Sequence, residues 1–156
     1  IHMKKIIFVC KGNTCRSAMA HQYMQKRLYD LNLEEKCLVM SCGINAYYGS
    51  PATQSAIYVM KKYDVDMTIH RATPINNSNI KECDLIICMT EGHKESIKYL
   101  YPELSSKIFK LKEYVNPNVE NKNIEDPWGY DEKVYEHCAE EIVYNVDKLI
   151  EKYLGD

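Results

Sequence analysis

Apolar residues along this chain fall into short runs separated by longer amphipathic stretches. Lys4 to Cys10 (KKIIFVC) holds a continuous apolar centre and reads as a buried strand. Cys37 to Cys42 (CLVMSC) and Asp84 to Met89 (DLIICM) repeat that character, and Lys107 to Leu111 (KIFKL) alternates as a fourth strand. Helical stretches lie between them: Ser17 to Leu31, a segment opened by Ser50 or Pro51 and running to about Tyr63, and Glu91 to Tyr99 ahead of Pro102. Val115 to Gly129 is rich in Asn, Pro and Gly and reads as loop. From Asp131 to Tyr153, helical spacing of Val134, Cys138, Ile142, Val146, Leu149 and Tyr153 predicts a long final helix with that stripe buried. Strands alternating with helices predict an α/β fold: one three-layer domain, a four-stranded parallel sheet with helices on both faces. Such sheets bind ligands beyond the carboxyl ends of their strands, and Cys10 closes the first strand.

The chain has 156 residues, which suits one domain over residues 3–156; Ile1 and His2, ahead of Met3, read as an expression remnant. Net charge is -2, from 20 basic and 22 acidic residues, so neither a nucleic acid nor a membrane surface is expected as a partner. No run nears the ~18 apolar residues of a membrane span, and there is no signal-peptide pattern, so a cytoplasmic location and a monomer are expected. Seven cysteines, an odd number, argue against a disulfide framework. Paired spacings suited to zinc do not occur, and most of the thiols read as small buried hydrophobes.

Cys10 has different surroundings. The segment "CKGNTCRS" turns from strand to helix within a few residues. A tight loop there directs successive backbone N–H groups inward, and the helix start adds partial positive charge. Gly12 and Asn13 tolerate the positive φ that such a nest needs. The product is a cradle for a tetrahedral oxyanion, formed by Lys11, Gly12, Asn13, Thr14, Cys15 and Ser17, whose field favours the Cys10 thiolate. The Arg16 fork can hold two phosphoryl oxygens at once. The Ser17 hydroxyl can donate to the Cys10 sulfur. Lys11 either selects acidic neighbours of the substrate or is merely solvated.

"VCKGNTCRS" resembles the signature of the low-molecular-weight protein tyrosine phosphatase family, and "SCG" at 41–43, "HRA" at 70–72 and "DPWG" at 126–129 extend the likeness along the chain. Ala18 departs from it, standing where the family usually has proline. The resemblance implies a metal-independent, cofactor-free protein phosphatase with Cys10 as nucleophile, Arg16 as phosphate clamp and Asp126, ahead of Pro127, as general acid and then base. It implies phosphorylated proteins as partners and phosphate- or sulfate-like anions as occupants of the loop. It also implies that Ser41 and His70 join Asn13 and Ser17 in a hydrogen-bond network beneath the loop. Tyr47, Tyr48 and Trp128 are expected to wall the entrance. Cys15, beside the nucleophile, either forms a reversible disulfide with Cys10 or simply packs.

Thr14 carries most of the information about substrate. Phosphotyrosine-directed members usually have an aliphatic residue there, and the branch resembling protein-arginine phosphatases has threonine. "MTEGHK" and "LKEY" also look like that branch. Phosphoarginine is the favoured substrate and phosphotyrosine the alternative. An arsenate reductase would need two relay cysteines. Cys83 and Cys88 offer themselves, but their spacing about one strand predicts opposite faces. A phosphoprotein-binding module would need neither Cys10 nor Asp126.

Overall fold

The computed structural model describes residues 2–155. Ile1, half of the presumed remnant, lies outside them, while the His2 ring sits 2.9 Å from Asp84 Oδ2. Four strands form one parallel sheet: β1 (Lys4–Cys10), β2 (Cys37–Gly43), β3 (Leu85–Cys88) and β4 (Ile108–Lys110), in the order β2-β1-β3-β4. Among the described residues five α-helices accompany it: α1 (Arg16–Asp30), α2 (Gln54–Met60), α3 (Glu91–Leu100), α4 (Leu111–Val115) and α5 (Glu132–Leu154). The pattern of apolar runs thus predicted the strands and three of the helices to within a few residues.

Both faces of the sheet are covered, which is why its strands are apolar throughout rather than alternating. Ile6, Phe8 and Cys10 pack with α1, α2 and α5 on one face, and Ile7 and Val9 pack on the other with Cys42, Ile86 and Ile97 of α3. The chain leaves β1 towards β2 on one side and returns to β3 on the other. β1 therefore ends at the point where strand order reverses, where the neighbouring connections diverge and leave a crevice. Among the described residues no helix is long and apolar enough to cross a membrane.

Three expectations are corrected. α2 opens at Gln54 under a Thr53 cap, because Pro51 is held in an extended bridge to Arg71. α4 is unexpected: it fills the stretch between the fourth strand and the expected loop, and Glu113 Oε1 accepts from the Lys110 backbone N–H at 3.0 Å where it starts. On α5 the buried stripe runs through Tyr135, 3% exposed, while Val134 is 39% exposed. Asp131 caps α5 through the Val134 N–H, which turns Val134 outward and leaves Tyr135 against the core.

Candidate active site

The loop from Cys10 to Arg16 is fixed from beneath. Asn13 adopts φ 56°, a left-handed conformation that disfavours most side chains. Its strain, on the order of 1–3 kcal/mol, is offset by partners on every side. The Asn13 N–H donates to Cys10 Sγ at 3.3 Å, Nδ2 donates to Ser17 Oγ at 2.8 Å, and Oδ1 accepts from the Thr73 N–H at 2.9 Å. The Asn13 carbonyl accepts from His70 Nε2 at 2.8 Å. A carbonyl can only accept, so His70 carries its proton on Nε2, leaving Nδ1 to accept from Gln22 Nε2 at 3.2 Å. Ser17 Oγ, already receiving Asn13, lies 2.8 Å from Cys10 Sγ and can turn its own proton onto the sulfur. Gln22, His70, Asn13 and Ser17 therefore form a chain of donors oriented towards Cys10, an arrangement suited to a sulfur anion.

Gly43 packs against the other side of the loop. A β-carbon there would lie 2.6 Å from the Lys11 carbonyl and 2.9 Å from the Asn13 nitrogen. The next two N–H groups, of Ile44 and Asn45, bond the Cys10 and Lys11 carbonyls at 2.9 and 2.8 Å. Only glycine lets β2 approach this closely.

Above the loop lies a cavity of about 420 Å³, lined by Cys10, Lys11, Gly12, Thr14, Cys15, Arg16, Asn45, Tyr47, Ser50, Asp126 and Trp128. Arg16 opens α1, whose first turn contains no acidic residue to compete with an anion. Its Nη1 donates to the Ile124 carbonyl at 3.0 Å, and Nη2 lies 3.7 Å from Asp126 Oδ2. The long loop that carries Asp126 is anchored where it matters. Ile124 is buried, its N–H donates to the Met89 carbonyl beyond β3 at 2.8 Å, and the Glu91 N–H holds Asn123 Oδ1 at 2.9 Å. Asp126 Oδ1 accepts from the Trp128 N–H at 3.1 Å, and the carboxylate stays half exposed.

Cys10 and Arg16, at the two ends of one loop, thus converge with Asp126 from a segment more than a hundred residues away. The side chains of Asn13 and Ser17 are fully buried beneath the loop, in the hydrogen-bond network the family likeness implies, and not against the cavity. Ser41 does not join the network directly: its hydroxyl meets His21 Nδ1 at 2.7 Å, and the His21 ring packs edge-on against His70. Tyr48 is turned to solvent and does not line the cavity, since the chain turns at Gly49 and the neighbouring side chains diverge. Cys83 and Cys88 do not face opposite ways. Cys83 precedes β3, so both sulfurs enter the same core layer, on the face of the sheet away from Cys10. Burial there, rather than opposed orientation, separates them from any relay with Cys10. Sequence reading missed His21, Gln22, Asn45 and Ser50, none of which sits in a motif. Among the described residues no group of three or more His, Cys, Asp or Glu is placed to hold a metal.

The family model described as low molecular weight phosphotyrosine protein phosphatase matches residues 5–155. The chain belongs to that family. A protein-arginine-phosphatase of Geobacillus stearothermophilus is 34% identical over 149 residues, 95% of each chain. The solved low molecular weight protein tyrosine phosphatase of T. tengcongensis shares 39% identity, with TM-score 0.87 over 96% of this chain and 99% of that one. The YwlE arginine phosphatase, solved as a mutant with a phosphorylated active-site serine, shares 28% identity, with TM-score 0.89 over 97% of each chain. This member of the family is therefore a protein phosphatase, and relatives directed at arginine and at tyrosine stand at similar distances from it.

The phosphatase's buried histidines make its stability sensitive to acid. Burial, aided by His70, pushes His21 down to about 3, and burial with the Arg16 charge pushes His93 down to about 4. Burial also lowers His70. Below the ordinary value of 6.5 the unfolded chain binds protons that the folded chain refuses, so stability falls as pH drops from there towards about 4. Denaturant melts across that range should show His21→Asn, which keeps an amide towards Ser41, with a shallower loss than the parent chain. Equal slopes would mean that His21 is not held neutral.

Proposed function

We propose that this chain dephosphorylates phosphoarginine side chains of proteins through a phosphocysteine at Cys10. The observation that carries the choice of substrate is Thr14. Its side chain lines the cavity, and its hydroxyl comes within 3.6 Å of where a β-carbon on Gly12 would stand. A β-branched hydroxyl there can accept from guanidinium nitrogens, whereas an aliphatic branch would leave them unpaired. Asn45 and Ser50 add further polar groups to the wall. The likeness to arginine phosphatases supports the same reading. Phosphotyrosine is the second reading, favoured by the exposed aromatic rings of Tyr47 and Trp128 at the entrance.

In the proposed mechanism the Cys10 thiolate attacks phosphorus in line with the leaving nitrogen. The S–P bond forms as the P–N bond breaks, while Asp126 protonates the departing guanidine. Loop N–H groups and the Arg16 fork hold the three equatorial oxygens. Asp126, now a carboxylate, then takes a proton from water as that water attacks phosphorus. The sulfur leaves as thiolate, received by the Ser17 hydroxyl. Arginine and main-chain amides carry the charge that a metal would otherwise neutralise, so a chelator should leave the rate unchanged.

Side-by-side turnover of phosphoarginine and phosphotyrosine peptides tests the substrate class, with phosphoarginine expected to be faster. Thr14→Ile is expected to lower phosphoarginine kcat/KM by about 10-fold or more, the scale for unpairing a buried polar group of the substrate. Phosphotyrosine turnover should hold or rise. Unchanged phosphoarginine turnover in Thr14→Ile would remove the argument from Thr14.

A further inference from the structure

Seven cysteines are free and buried, and the proposed chemistry uses one. The others are not equivalent in position. Cys42, Cys83 and Cys88 lie across the sheet from the nucleophile. Cys37 pairs with Lys4 at the far end of β1 from Cys10. Cys15 and Cys138 remain, and both share the core cluster of Cys10.

Cys138 stands on α5 one turn after Tyr135, and α5 packs along α1, which begins just past Cys15. Tyr135, Cys138 and Cys15 are buried in the same core cluster. Cys138 Sγ points to the Glu125 carbonyl at 3.9 Å, one residue from the carbonyl that Arg16 holds. The Cys15 thiol makes no cap to its own helix. Cys138, itself buried, also lines a second cavity of about 420 Å³, which shares Asp126 with the first.

We propose that Cys138 is a second resolving thiol: once a hydroperoxide has oxidised Cys10, the disulfide formed with Cys15 passes to Cys15–Cys138 and releases Cys10. The inference rests on Cys10 being the reactive thiolate and goes beyond the phosphatase reaction. In the first step the Cys10 thiolate attacks a peroxide oxygen, giving sulfenic acid and hydroxide. Cys15 then attacks the sulfenic sulfur, an S–S bond forms and water leaves. Cys138 attacks Cys15 Sγ as a thiolate, the Cys10–Cys15 bond breaks, and Cys10 departs as thiolate while the Cys138 proton passes to solvent through the second cavity. In sum two thiols become one disulfide and the hydroperoxide is reduced, with hydrogen peroxide giving two waters.

The electrostatics order these steps. Burial first, then Cys138, Cys10 and Asp126, hold the Cys15 thiol well above its usual range, and Arg16 opposes them. Conversion of Cys10 to a neutral sulfenic acid removes one of those charges, so Cys15 ionises more readily after the nucleophile has been oxidised than before. Burial pushes Cys138 up to about 12 as well, against the pull of Arg16. The nucleophile would thereby be withdrawn from further oxidation to sulfinic acid.

The test is a time course of the full chain with hydrogen peroxide and no reductant. Aliquots are acid-quenched, alkylated and mapped as non-reduced peptides by mass spectrometry. The Cys10–Cys15 peptide should appear first and give way to Cys15–Cys138, with Cys10 regaining alkylation. In Cys138→Ala the Cys10–Cys15 peptide should persist and Cys10 alkylation should be lost. A wild-type map that never contains Cys15–Cys138 overturns the proposal without recourse to any variant. So does equal recovery of Cys10 alkylation in both chains. Connectivity is read without any substrate, so failure here is distinct from failure of the phosphoarginine assignment.

Discussion

Cys10→Ser is expected to lose turnover by a factor on the order of 10⁴ or more, the scale seen when a covalent nucleophile is removed. A hydroxyl in that place remains protonated at neutral pH, whereas the surroundings of Cys10 are arranged for an anion. The Asn13 N–H and the Ser17 hydroxyl both meet the sulfur, at 3.3 and 2.8 Å. The cradle itself owes little to the sulfur. Gly43, Asn13 and His70 hold the loop from behind, and inhibition by inorganic phosphate should survive within a few-fold. Steady-state rates on an aryl phosphate, measured with a chelator present, decide the matter. Retention of more than about 1% of the parent rate would contradict covalent catalysis by Cys10.

Asp126→Asn carries the second large effect. An amide can neither protonate the leaving nitrogen nor take a proton from water, so phosphoarginine turnover should fall about 10² to 10⁴-fold, the usual worth of general acid–base catalysis. The loss in kcat/KM, which reads formation of the phosphocysteine and not its hydrolysis, should be smaller for a nitrophenyl phosphate, whose phenolate leaves with little help. Geometry distinguishes this from a folding defect. The loop is anchored by Ile124 and Asn123, not by the Asp126 side chain, which is half exposed. The melting temperature should therefore be near that of the parent. A uniform loss of kcat/KM across both substrates would assign Asp126 to positioning through Arg16 instead of protonation of the leaving group.

What could be read along the chain, and what could not, divides by the range of the interaction. Strand β1, the turn at Gly12 and Asn13, and the start of α1 are local, and their residue types alone indicate a strand, an anion nest and a helix. Asp126 is different. Its role depends on Arg16 reaching Ile124 across more than a hundred residues, and an Asp-Pro in a long loop looks like a turn without the family likeness. The network under the loop is also long-range. Ser41 was legible as a family position, but its partner His21 lies on another element and shows only as a polar residue on α1. Pro51 misled because helix-starting chemistry was overruled by its bridge to Arg71. Val134 and Tyr135 were both compatible with a helical stripe, and the Asp131 cap fixed which of them faces inward. Opposite faces for Cys83 and Cys88 failed because β3 is only four residues long and Cys83 precedes it.

Trapping the covalent intermediate tests the central claim most directly. Asp126→Asn mixed with nitrophenyl phosphate should form the S–P bond readily and hydrolyse it slowly, since water has lost its base. Rapid quench followed by peptide mass mapping is predicted to find phosphate on Cys10 at near-stoichiometric occupancy. Phosphate on a different residue, or none on the protein while product is still released, would contradict attack by the Cys10 sulfur.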